Sequence, residues 1–115
     1  MARSFAIAAA ALALIAAATA GRAEVGDELR ARAPKTVATL LPWCAANAKD
    51  CRALVGLVDL DNIAEGPSPG SCVIGTRDGQ AATKSILDWL AAHKETHAGP
   101  AEAGIAAAIN ALWPC

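Results

Sequence analysis

The chain has 115 residues and a formal charge of −1, with ten basic residues against eleven acidic ones. That length allows one ordinary domain. The near balance of charge excludes a basic nucleic-acid-binding face as the default. Aromatic residues make up only 3% of the chain and tyrosine is absent, which excludes stacking platforms for single-stranded nucleic acid.

The first 23 residues have the layout of a secretory signal peptide. Arg3 gives a basic start, residues 5–20 form an uncharged, alanine-rich run, and small-x-small cleavage sites end at Ala20 and Ala23. A membrane-spanning helix is the alternative, but the run falls short of the ~20 residues that a bilayer requires. The sequence therefore predicts an exported, periplasmic protein that is free of the membrane after cleavage. Its mature domain would comprise residues 24–115, with eight basic and eleven acidic residues.

The cysteine usage predicts disulfide cross-links. All four cysteines fall in the predicted mature part, at Cys44, Cys51, Cys72 and Cys115. An even number in a small exported domain indicates two disulfides. The mature part is also rich in alanine, which favours helix but buries little apolar area. Disulfides would therefore stabilise a fold whose core contributes little. Zinc is the competing use, but spacings without a CxxC pair fit it poorly.

The first half of the mature chain predicts two helices. The first is expected over about 27–41, broken or bent at Pro34 and closed by Pro42. The second is expected to begin near Cys51, although a buried strand is the alternative for its apolar run. Its core face is predicted from the i, i+3, i+4, i+7 spacing of Cys51, Leu54, Val55 and Val58. Leu57 and Leu60 are expected to widen that face, and Asp59, Asp61 and Asn62 to mark the polar end.

The second half predicts a loop and two more helices. Residues 65–71, with two prolines and two glycines, form the loop. A third helix is expected over about 78–97, with Thr76 or Asp78 as its N-cap and Gly99 at its end. A fourth is expected from Pro100 to just before Pro114. Apolar positions at helical spacing are Ala82, Ile86, Trp89, Leu90 and His93 in the third helix, and Ile105, Ile109, Leu112 and Trp113 in the fourth.

The predicted fold class is therefore all-α, a small four-helix bundle with two disulfides. The short Ala98-Gly99 turn would make the last two helices antiparallel, which brings Cys72 near Cys115. Cys44 and Cys51 would then bridge the turn between the first two helices. We predict the pairs Cys44–Cys51 and Cys72–Cys115 over the two other connectivities.

No catalytic or metal-binding constellation is recognised. His93 and His97 have the i, i+4 spacing of a metal pair, but two histidines near a helix C-terminus are also favoured by the helix dipole. Ser71 and Ser85 lack a recognisable His/Asp arrangement, Asp59 and Asp61 diverge on a helix, and the glycines compose no phosphate loop. The chain is therefore predicted to be a non-enzyme without cofactor or metal.

The mature chain contains a set of short motifs at Cys44, Cys51–Val55, Cys72–Ile74, Gln80, Ile86–His93, Pro100–Ala103 and Ala111–Cys115. This pattern resembles the type VI secretion amidase immunity family, the Rap/Tai immunity proteins. The similarity spans about 44–115, and its specific part is the closing Trp-Pro-Cys together with the four matched cysteines. Trp113 stands where the family has Phe, Gly75 where it has Pro, and Leu54 where it has an aromatic residue; Lys94 follows His93 in place of Pro.

The resemblance implies a small periplasmic helical protein, often a homodimer, that binds a peptidoglycan amidase effector and blocks its active-site groove. An acidic mature surface would steer a basic effector toward it. The contact residues are not carried by the motif. The expected partner-binding residues are those of the rigid loop and of the start of the third helix: Glu65, Gly66, Pro67, Ser68, Pro69, Gly70, Arg77 and Asp78.

Two other hypotheses compete with an immunity function. A periplasmic acid-stress chaperone of the Hde type is also small, helical and disulfide-bearing, and would expose apolar surface on acidification. An orphan envelope protein of the same fold would have no amidase partner.

Overall fold

The computed structural model of the protein describes residues 26–64 and 78–114, and the chain divides into two compact units, 1–32 and 33–115. In the first unit, residues 26–32 are helical (α1). The second contains Val37–Ala46 (α2), Ala48–Ala64 (α3), Gly79–Ala92 (α4), a 3₁₀ turn over Lys94–Thr96, and Ala101–Leu112 (α5). The described residues include no strand, so the all-α class is confirmed for them. None of their helices has both the length and the apolar character of a transmembrane span.

Pro34 separates two helices as predicted, but Pro42 does not end the second one. Residues 33–36 are non-helical, whereas α2 continues through Pro42 to Ala46. A proline inside a helix removes one hydrogen bond to the carbonyl four residues earlier, here that of Ala38. Ala38 is exposed, so water can replace the lost donor. The prediction that Pro42 closes the helix was therefore wrong.

The core of the second unit is shared by α2, α3, α4 and α5, which all contact one another. The predicted face of α3 is buried as expected, and so are Ile86 and Leu90 of α4 and Ile105 and Ile109 of α5. The large side chains that are fully buried are Leu40, Leu54, Ile86, Leu90, Ile105, Ile109 and Val37. A single apolar interior thus fixes the relative positions of these four helices.

The first turns of α2 and α5 satisfy each other's free amide groups. The N–H of Val37 donates to Gly99 O at 3.1 Å, and the N–H of Ala101 donates to Lys35 O at 2.8 Å. Thr36 also caps α2, because its Oγ1 accepts from Thr39 N at 3.3 Å. The first amides of a helix have no intrahelical partner, so these bonds tie the two helix starts together.

α3 begins and ends differently from the prediction. It starts at Ala48, three residues before Cys51, and continues to Ala64. Leu60 does not widen the buried face, since 62% of it is exposed. It follows Cys51 by nine residues, about two and a half turns, and so lies on the opposite side of the helix. Asn62, predicted to mark a polar end, is instead buried.

Candidate partner-binding surface

The Cys44–Cys51 disulfide holds the end of α2 against the first turn of α3, as predicted. The sulfurs are bonded, the Cα atoms are 5.0 Å apart, and both residues are buried. Asn47 is the only residue between the two helices. It ends α2 by donating its N–H and Nδ2 to Trp43 O, and its own carbonyl accepts the N–H of Cys51 at 2.9 Å. The start of α3 is thus fixed both covalently and by hydrogen bonds.

An open groove of about 430 Å³ lies beside this disulfide, between the start of α3 and α4. We call it the α3–α4 groove. Its apolar parts come from the disulfide, Ala48 and Leu87, and its cations are Lys49, Arg52 and Lys84. The lining residues are Cys44, Ala48, Lys49, Cys51, Arg52, Gln80, Thr83, Lys84 and Leu87. The groove is therefore amphipathic, and among the residues that the structure describes no carboxylate lines it.

The three cations of the groove are not equally available. Lys84 Nζ donates to Asp88 Oδ2 at 2.8 Å, and this hydrogen bond with Asp88 raises the pKa of Lys84. Lys49 and Arg52 are exposed and form no ion pair within the described parts of the chain. A Cβ on Gly79 would lie 3.6 Å from Arg52 Cδ, so the Arg52 side chain runs along the start of α4. Two uncompensated charges therefore border the groove.

The exposed side of α3 forms a continuous stripe at helical spacing, which we call the α3 outer stripe. It consists of Lys49, Arg52, Ala53, Gly56, Leu60 and Ile63. The stripe has cationic side chains at its start, small residues in its middle and apolar side chains at its end. At that apolar end, Leu60 is 62% and Ile63 49% exposed. Single exposed apolar residues are ordinary on protein surfaces. Leu60 and Ile63, however, are adjacent on one helix face and together form an exposed apolar patch.

Two buried polar atoms lie on α3 close to this apolar end. Asp59 Oδ1 and Asn62 Nδ2 are both shielded from solvent and have no hydrogen-bond partner among the described residues. Partial burial raises the pKa of the Asp59 carboxyl above its ordinary value. This end of the helix is therefore less stable than an apolar helix end would be.

Both histidines cap the C-terminal end of α4. His93 Nδ1 is 2.6 Å from Trp89 O and His97 Nε2 is 2.8 Å from Leu90 O. Because a carbonyl oxygen only accepts, each of these ring nitrogens is the donor. The two rings thus use different nitrogens to cap the last carbonyls of α4, and the His93 ring stacks on Trp89 with centroids 3.7 Å apart.

These capping bonds also explain why α4 is shorter than predicted. The helix ends at Ala92, and the chain continues as the 3₁₀ turn instead of reaching Gly99 as a helix.

The described residues contain no cluster of three or more His, Cys, Asp or Glu side chains at metal-binding distance.

Of the predicted partner-binding residues, only Asp78 is described by the structure. It is the N-cap of α4, with Oδ1 accepting from Gln80 N at 3.0 Å, which confirms its predicted capping role. The loop residues 65–70 and Arg77 lie outside the described residues, as do Cys72 and Cys115.

The sequence analysis did not predict the α3 outer stripe. Its signal is the helical spacing of exposed positions opposite the core face, at Lys49, Arg52, Gly56, Leu60 and Ile63.

Comparisons with known proteins add no relationship: no family model, curated protein sequence or solved structure matches this chain.

Proposed function

We propose that this protein is a periplasmic immunity protein that binds and inhibits a peptidoglycan amidase effector of type VI secretion. Residues 1–23 would direct its export. The mature chain would form a four-helix bundle closed by a second disulfide, Cys72–Cys115. The proposal builds on the resemblance of the sequence motifs to the Rap/Tai immunity proteins, and the helical fold with its Cys44–Cys51 disulfide is compatible with it.

The observation that carries the proposal is the apolar end of the α3 outer stripe. Leu60 and Ile63 are the large apolar side chains that stand out as exposed in the described residues, and they lie one helical turn apart. They directly precede the 65–70 loop, for which we expect partner contacts. A helix face with adjacent apolar anchors is suited to a protein partner, because an ordered helix loses little conformational entropy on binding.

Binding and inhibition are tested together with purified mature chain and candidate peptidoglycan amidases. We expect a stable complex and reduced digestion of peptidoglycan. Leu60→Glu and Ile63→Glu each place a charge in the centre of the contact, so each should weaken binding at least about tenfold. Ala107→Glu makes a similar apolar-to-acidic change at an exposed position of α5 and should leave binding unchanged.

Two outcomes would count against this function. Undiminished digestion by every amidase tested, with no complex, would contradict an immunity role. A cooperative gain of apolar-dye binding near pH ~2, with retained helical circular dichroism, would instead favour the acid-stress chaperone.

A further inference from the structure

We infer that the α3–α4 groove binds an acidic peptide segment, with a carboxylate on Arg52 and Lys49 and an apolar neighbour against the disulfide. This inference deepens the proposed function, since the segment would belong to the partner protein. It is carried by the shape and charge of the groove and uses none of the residues of the apolar end of the stripe.

The charge of the groove selects an anion. The described part of its lining holds three cations and no carboxylate, although the whole chain is slightly acidic. Asp88 compensates only Lys84, at 2.8 Å. The carboxylate of Asp78, at the start of α4, accepts the N–H of Gln80 and pairs with neither Lys49 nor Arg52 in the structure. The field in the groove is therefore positive where Lys49 and Arg52 border it.

The chemistry of these cations favours a carboxylate as the anion. Arg52 presents a planar fork of N–H donors that matches a carboxylate in a bidentate pair. Its Cδ already lies along the start of α4, which limits the conformations that the guanidinium must give up on binding. Lys49, one turn earlier on the same face of α3, provides a second donor.

The remaining walls favour a peptide with an apolar side chain next to the acid. The buried residues Cys44 and Cys51, together with Ala48 and Leu87, supply the apolar part of the lining. The Thr83 hydroxyl donates to Gly79 O at 2.7 Å, so it is turned toward its own helix. Gln80 is exposed and offers an amide for the peptide backbone. A volume of about 430 Å³ is room for a short peptide segment, and not for a folded domain.

The test is a titration of the 15N-labelled mature chain with the capped peptide Leu-Glu-Glu-Leu and its neutral analogue Leu-Gln-Gln-Leu. We expect amide shifts confined to residues 48–52 and 80–87 with the acidic peptide, and at least about tenfold weaker binding of the neutral one. Both peptides are compared on the unaltered chain, so a folding defect cannot affect the result. Equal binding of both peptides, amide shifts in other residues, or no amide shift at millimolar peptide would overturn the inference.

Three variants separate charge from shape. Arg52→Gln removes the fork and should weaken the acidic peptide about tenfold, whereas Lys94→Gln, an equal charge change in the 3₁₀ turn, should not. Ala48→Phe fills the groove, keeps both cations, and should abolish binding. Unchanged affinity of Arg52→Gln overturns the inference, and so does displacement of the peptide by decanoate, which would indicate an anionic amphiphile as the occupant.

The amidase-binding function and the peptide site in the groove can be contradicted independently of each other. If Leu60→Glu abolishes amidase binding while Arg52→Gln leaves both amidase and peptide binding intact, the groove inference is wrong and the proposed function stands. If the acidic peptide binds the groove but no amidase is bound, the inference about the groove chemistry stands and the amidase is not its source.

Discussion

Gly104 of α5 lies directly against Val37 of α2. A Cβ at Gly104 would be 2.5 Å from Val37 Cγ2 and 3.3 Å from Leu90 Cδ2, and both neighbours are fully buried. Val37 is β-branched and its side chain has few rotamers, so it cannot move away without disturbing the core. The absence of a side chain at Gly104 is therefore what allows α5 to approach α2 this closely.

This contact predicts opposite effects for two glycines in helices. Gly104→Ala should lower the free energy of unfolding by about 1–3 kcal/mol, because overpacking outweighs the gain in helix propensity. Gly56→Ala should raise it by about 0.5–1 kcal/mol, because a Cβ there would have no atom within 4 Å. Urea denaturation of both variants measures the two values. A gain of stability in Gly104→Ala would contradict the close packing of α2 and α5.

The disulfide predicts a loss of stability that is specific to oxidised protein. Replacing Cys44 and Cys51 together by alanine should lower the free energy of unfolding by about 2–3 kcal/mol, the loop-closure value for a short loop. The same denaturation curves, repeated after reduction of both chains, provide the control, because the reduced wild-type chain should be close in stability to the reduced variant. Thiol titration of the purified, unreduced protein would contradict the cross-link if it found Cys44 and Cys51 reactive.

Asp59 predicts a pH dependence with a definite sign. Burial raises the pKa of its carboxyl in the folded state above the ordinary value of 3.8, so the folded chain binds more protons than the unfolded one. The contribution of Asp59 to stability is therefore most favourable below that value and falls as the pH rises through 3.8 toward the raised pKa.

Asp59→Asn removes this titration while keeping the shape of the side chain. The free energy of unfolding of the variant minus that of the wild type should increase from about pH 3 to about pH 7, since the other carboxyls titrate in both chains. Denaturation at a series of pH values gives this difference. A difference that is constant, or that decreases with pH, would show that the folded-state pKa is not raised.

Asp78 predicts a capping effect that is independent of partner binding. Asp78→Ala should lower the free energy of unfolding by about 1 kcal/mol, because Gln80 N loses its acceptor. Asp78→Ser should restore most of that loss, since serine is also a good N-cap. Thermal unfolding distinguishes the three chains, and equal stability of the alanine and serine variants would argue against a cap.

Much of the fold follows from local patterns in the sequence. The i, i+3, i+4, i+7 spacing from Cys51 to Val58 predicts the buried face of α3, and Asp78 predicts the start of α4. Pro100 marks the start of α5, and the positions of Cys44 and Cys51 on either side of the turn between two helices predict their bond. These features depend on helix periodicity, on capping and on a loop of a few residues, all of which are local.

The remaining features needed the tertiary structure because they depend on residues far apart in the sequence. Pro42 stays inside α2 because Val37, Leu40 and Cys44, which lie on both sides of it, are buried in the core that α2 shares with α4 and α5. Leu60 is exposed because the side of α3 facing away from Cys51 meets no other helix of the described core. The α3–α4 groove joins Lys49 and Arg52 to Leu87 across more than thirty positions. The order of residues determined which faces are apolar; only the packing of the helices decided which side chains meet across the groove.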